Sequence, residues 1–217
     1  SAAEFWAIIT SPRTLHAYGL SVGGALIAAA INTCFGLVVA WVLVRYRFPG
    51  RSVLDALVDL PLALPTAVAG VALTAVYAPN AALGGVLTRM GVPVAFSNAG
   101  IVLAMMLVSL PFAVRTVQPV LEDLDPEVEE AAAALGASAL TTFVRVIFPS
   151  LVPAMLTGLA LSFAKAAGEY GSIIFIAGNI PRKSEIAPLL IMTRLDEFNY
   201  PAAATIGVGM LVLSLAM

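Results

Sequence analysis

Apolar residues run through this chain in five long stretches, at residues 20–44, 53–77, 99–121, 151–177 and 201–217, separated by segments that hold most of the charge. The first four exceed the ~20 residues needed to cross ~30 Å of hydrocarbon as a helix, and the fifth comes close. Backbone groups in lipid must be satisfied internally, by helices or by a closed barrel. The stretches lack the period-two alternation of barrel strands. The pattern therefore predicts an all-α membrane protein, a polytopic transmembrane helical bundle forming one domain over residues 1–217.

The connections set the expected topology. "RYRFPGR", residues 45–51, packs three arginines into seven positions and reads as an inner-side loop. Alternation then puts residues 78–98 outside, 122–150 inside and 178–200 outside, although Arg182, Lys183 and Arg194 fall on the outer side. The glycines and Pro93 of the 78–98 connection suggest short interfacial helices. Gly19 and Gly23 have small-xxx-small spacing, too common in a Gly-rich chain to carry weight.

Composition sharpens this picture. Hydrophobic residues make up 60% of the 217 and charged residues 11%, against about 25% charged in ordinary soluble domains. A net charge of −2 and the lack of a Lys/Arg cluster argue against a nucleic-acid partner. Cys34 and His16 are the single residues of their kinds, which removes disulfides, zinc sites of paired ligands and a serine–histidine hydrolase. Cys34 is expected as core filler and His16 as an interfacial residue. The start at Ser1 and the stop inside an apolar run suggest that the first helix and the end of the last are missing. The opening residues do not read as a signal peptide.

One segment, residues 123–149, is acidic, Ala-rich and too polar for hydrocarbon. Asp125 is placed to cap a helix starting at Pro126, with Glu127, Glu129 and Glu130 in its first turns, where carboxylates suit the helix dipole. Ala131 to Ala134 continue it and Gly136 can end it. Ser138 then caps a second helix running to Phe148, which Pro149 interrupts. The short helix, ~15 Å long, has a smooth Ala face suited to a partner's groove, or it simply connects two spans.

Charges inside spans are costly and so mark candidates for function. Lys165 and Glu169 stand four apart, as an ion pair on one helix face would, in the order less favourable to the dipole. They are candidates for the translocation path or gate, and equally for a structural pair. Asp55 and Asp59 read as interfacial carboxylates near Arg51, while Pro61 and Pro65 are expected to kink their span and suit a gate. The outer "NIPRKSE", residues 179–185, offers Asn179, Arg182 and Lys183 as a docking loop or a solvated charge run. "GNIPRKS" is the nearest approach to a phosphate-binding loop and lacks its second glycine, so no nucleotide site is read in this chain.

Glu130, Ala131, Ala132, then Gly136, Val146, Phe148 and Pro149 resemble the EAA-x3-G-x9-I-x-L-P motif of permease subunits from ATP-binding cassette importers, with Val for Ile and Phe for Leu. The resemblance implies that this segment is a cytoplasmic coupling helix docking into an ATPase subunit. Phe163 to Ile191, Leu195 to Ile206 and Val39 to Leu73 are similar to the T-type permease of sulfate/thiosulfate importers, with molybdate permeases second. Gly168, Glu169, Tyr170 and Gly171 form the "GE", aromatic, Gly core shared with those relatives. What this implies is an importer permease fold of about six spans in a bacterial inner membrane and no cofactor on this chain. ATP and Mg would sit on a partner ATPase homodimer, beside a W-type paralogous permease and a periplasmic sulfate-binding protein. An ion-coupled secondary transporter is the remote alternative, and no inverted repeat supports it. An intramembrane enzyme is disfavoured by the lack of paired metal ligands.

Overall fold

A computed structural model describes residues 2–216, and among them helices and turns are the only regular structure. In chain order the helices are α1 (Ala2–Ile9), α2 (Pro12–Arg45), α3 (Arg51–Ala63), α4 (Thr66–Tyr77), α5 (Ala82–Arg89) and α6 (Asn98–Glu122). They continue as α7 (Pro126–Ala134), α8 (Ala139–Thr142), a π-helical turn (Phe143–Ile147), α9 (Phe148–Ala167), α10 (Gly171–Ala177), α11 (Ala187–Asp196) and α12 (Tyr200–Ala216).

Three helices are long and apolar enough to cross a membrane, namely α2, α6 and the continuous run from α8 through α9. They pack on one another as the centre of the bundle. A buried polar ladder ties them together. Asn32 Nδ2 of α2 donates to the Met106 carbonyl and to Ser109 Oγ of α6 at 2.8 and 2.9 Å, and Ser162 Oγ of α9 donates to the Ser109 carbonyl at 3.1 Å. Such bonds between membrane helices are worth about 0.6 kcal/mol each, so the ladder fixes register more than it adds stability.

Two of the five stretches are not single spans. The stretch at 53–77 divides at Leu64 and Pro65 into α3 and α4, whose axes turn by 114°. Of its two prolines only Pro65 makes the break, as the first cap of α4, while Pro61 stays inside α3. The stretch at 151–177 ends as a helix at Ala167, and Gly168 to Tyr170 separate it from α10. The halves beyond the two breaks meet backbone to backbone: a Cβ on Gly70 would lie 2.4 Å from the Ser172 carbonyl oxygen. Cys34 lies on an exposed face of α2 and not in the core, and His16 is exposed near the start of α2.

The ends of the bundle sort consistently. Arg45, at the end of α2, pairs with Glu129 of α7, so the arginine loop and the acidic segment share one end. At the opposite end the Phe96 N–H donates to the Ile176 carbonyl at 2.7 Å, joining the 78–98 connection to α10. At that end too, Arg13 forks onto Glu185 with contacts of 2.7 and 2.6 Å, joining α2 to the turn before α11.

Candidate functional site

The acidic segment folds by its capping chemistry. Asp125 accepts from the Glu127 N–H at 2.9 Å, α7 starts at Pro126, and Gly136 takes φ +82° just past the helix end. That left-handed conformation costs an L-residue 1–2 kcal/mol and glycine almost nothing. Ser138 accepts from the Thr141 N–H at 3.3 Å and opens α8. The second helix does not stop at Pro149. The chain widens into the π-helical turn, with the Phe148 N–H reaching back to the Phe143 carbonyl, and Pro149 falls in the first positions of α9. A proline inside a regular helix collides with the carbonyl four residues back, and the wider turn just before Pro149 relieves that collision.

The two central glutamates of α7 point to different partners. Glu129 takes the Arg45 guanidinium, which also lies 5.4 Å from the Trp41 ring centre. Glu130 is exposed and forms no hydrogen bond or ion pair within the described residues. Ala131 and Ala134 are exposed, Ala132 is half-buried, and Ala133 lines a cavity of about 300 Å³ with Trp41, Glu129 and Phe143. The segment therefore rests on the bundle over a void, with the Arg45–Glu129 pair as its tie. On either side of Gly136, Leu135 and Leu140 are 89% and 73% exposed. Sequence reading did not single out these leucines, although leucine beside a turn glycine was the available signal.

The Lys165–Glu169 pair is present at 3.2 Å, but it does not lie on one face of one helix. Lys165 sits in the last turn of α9, and Glu169, 2% exposed, lies in the break. One carboxylate oxygen of Glu169 takes Lys165, and the other accepts from the Ser172 N–H and Oγ, both at 3.0 Å, at the start of α10. The unfavourable order is thereby explained: each charge stands at the helix end whose dipole it complements. Gly168 closes α9 and Tyr170, half-buried, precedes α10.

Asp55 and Asp59 do not pair with Arg51. Both bind Arg115 of α6, a residue that the sequence reading passed over because it sits inside an apolar stretch. The Arg115 guanidinium forks onto Asp59 at 2.9 and 2.6 Å and reaches Asp55 Oδ1 at 2.6 Å, the Asp55 carbonyl at 3.0 Å and Gln118 at 2.5 Å. In the loop before α11 Arg182 and Lys183 are exposed, whereas Ser184 and Glu185 are buried, so the run "NIPRKSE" is only partly a solvated surface. Asn179 and Arg182 adopt φ of +46° and +59° there, and Asn179 Oδ1 is buried with no partner.

Residues 12–217 match the family of binding-protein-dependent transport system inner membrane components. The chain belongs to this family. Relatives cover it from end to end. The probable sulfate transport system permease protein cysT of Nephroselmis olivacea is 52% identical over 217 residues, all of this chain and 76% of the relative. The sulfate transport system permease protein CysT of Escherichia coli K12 is 49% identical over 217 residues, 78% of its own length. The protein of that name from Synechocystis is 50% identical over 213 residues, 98% of this chain and 74% of the relative. The permease is thus a membrane transport component and not an enzyme.

Proposed function

We propose that this permease is the membrane subunit of an ATP-driven importer that carries sulfate across a bacterial inner membrane by alternating access. The observation that carries the substrate is the 49–52% identity to relatives named for sulfate transport over the whole chain. Thiosulfate enters as a second cargo because it shares charge and shape with sulfate. The molybdate reading has no observation in its favour.

On this reading energy arrives from a partner ATPase homodimer that holds ATP and Mg, at the surface made by Glu130, Ala131, Ala132, the turn at Gly136 and the exposed Leu135 and Leu140. Pro149 and the π-helical turn join that surface to α9, whose far end carries Lys165. The Lys165–Glu169 pair, with Gly168 and Tyr170, lies between the two broken helices, where an ammonium with only one of its three donors engaged can meet a passing dianion. The break at Pro65 adjoins it, since a Cβ on Gly171 would meet Thr66, and Pro61 lies one turn earlier. Asn179, Arg182 and Lys183 offer a basic outer loop to a periplasmic binding protein, and a W-type paralogue supplies the other half of the pathway.

Binding-protein-dependent uptake into proteoliposomes holding the assembled complex tests the proposal, with sulfate, thiosulfate and molybdate compared. The expected result is sulfate accumulation that requires internal ATP. Accumulation of molybdate in preference to sulfate would overturn the substrate, and uptake without an ATPase subunit would overturn the mechanism.

A further inference from the structure

α3 is held to the bundle by one small buried contact and a charged fork. Of its thirteen residues only Val58 is fully buried. Its polar attachment to α6 is the Arg115 fork, which engages both carboxylates and the Asp55 carbonyl. All three side chains are accessible, Arg115 to 32%, Asp55 to 44% and Asp59 to 48%. Ion pairs this exposed hold little net stability and open at low cost, yet the planar guanidinium fork gives them one defined closed geometry.

Each end of α3 is a joint. Before it stands Gly50, with φ +92° and no neighbour that would meet a Cβ. After it, Leu64 and Pro65 interrupt the helical ladder, since proline has no N–H to donate. Beyond that joint the attachment changes character, because α4 lies on α10 at the Gly70–Ser172 crossing with no room for a side chain between them. A helix bounded by two joints, held by reversible charge and followed by a fixed crossing, has the mechanics of a hinged strap. The strap also lies in the apolar cluster of the inner half, where Val58 packs with Val117, Leu121, Ile147 and Leu151. Ile147 ends the π-helical turn that connects to the acidic segment. Movement of that segment thus has a packed route to α3.

We propose that α3 is the moving gate helix of the inner half, swinging between the joints at Gly50 and Leu64–Pro65, and that Arg115 bound to Asp55 and Asp59 is the clasp that shuts it. The proposal rests on the transporter reading above but not on the identity of the cargo.

The test uses the assembled complex in lipid, with Cys34→Ser as background and spin labels at Leu57→Cys on α3 and Glu122→Cys at the end of α6. A reference pair is placed at Val71→Cys on α4 and Phe175→Cys on α10. Between nucleotide-free and vanadate-trapped states the α3–α6 distance is expected to change by more than about 2 Å, the upper end of ordinary helix shifts at interfaces. The α4–α10 distance is expected to stay within that limit. Asp55→Asn with Asp59→Asn, added to the first pair, is expected to deplete the short-distance population. An α3–α6 distance that is the same in both states overturns the gate, as does an α4–α10 pair that moves equally. Populations unchanged by the double variant overturn the clasp, and if that variant does not assemble the two label pairs decide. Sulfate uptake is measured in the same vesicles: its absence while the α3–α6 distance still responds to ATP counts against the cargo and leaves the gate standing.

Discussion

Gly70→Ala is expected to be among the most damaging single-methyl additions in this permease. The new Cβ would lie 2.4, 2.7 and 2.9 Å from the Ser172 oxygen, Cα and carbonyl carbon, all backbone atoms that cannot rotate away. Relief requires α4 and α10 to separate. Ser172 is also the residue that holds Glu169, by two bonds of 3.0 Å, so the separation reaches the Lys165–Glu169 pair. Overpacking of this kind costs about 3 kcal/mol, or roughly 6–12 °C in the unfolding midpoint for a chain of this size. Gly19→Ala is the control, since a Cβ there meets nothing within 4 Å. Thermal unfolding of the purified variants in detergent decides the matter. Equal midpoints for the two would show that the α4–α10 crossing is looser than described.

Arg13→Met is the second large effect. Glu185 is 1% exposed and spends both carboxylate oxygens on the Arg13 fork. Removing one partner of a buried pair leaves the other uncompensated, at a cost of 3–5 kcal/mol. Arg13 itself is 25% exposed, so the lower end applies, on the order of 3 kcal/mol. The double variant Arg13→Met with Glu185→Gln is expected to recover part of the loss, because the amide carries no charge to strand. The same unfolding midpoints check this. A double variant no more stable than Arg13→Met alone would mean that lost packing, and not the stranded carboxylate, sets the cost.

These two sites show what local pattern could and could not carry. The helices α2 and α6 were legible because crossing a bilayer demands length and apolarity, which a sequence displays directly. The acidic segment was legible because Asp125, Gly136 and Ser138 act on neighbours two or three residues away. The breaks were harder. Pro65 read as a kink, but the second break holds no proline, only Gly168, Glu169 and Tyr170, and the i, i+4 spacing of Lys165 and Glu169 imitated a continuous helix. Long-range pairs were invisible. Arg115 was hidden by its apolar surroundings while its partners sit 56 and 60 residues away. Glu185 passed for the end of a solvated charge run, although its partner lies 172 residues earlier.

The acidic segment also separates folding from coupling. Glu129 is tied to Arg45, and its loss would disturb the tie between α7 and the bundle. Glu130 is exposed and has no partner within the described residues, so its substitution alters a surface and leaves the internal contacts intact. Capture of the ATPase subunit by this permease, with ATPase activity followed in the same complex, is therefore the direct measure of the central claim that energy enters here. With Glu130→Lys the protein is expected to fold with an unchanged unfolding midpoint, yet to lose ATPase capture or the stimulation of ATPase activity by the binding protein. A Glu130→Lys protein that captures and stimulates the ATPase as well as the unaltered chain would contradict the account.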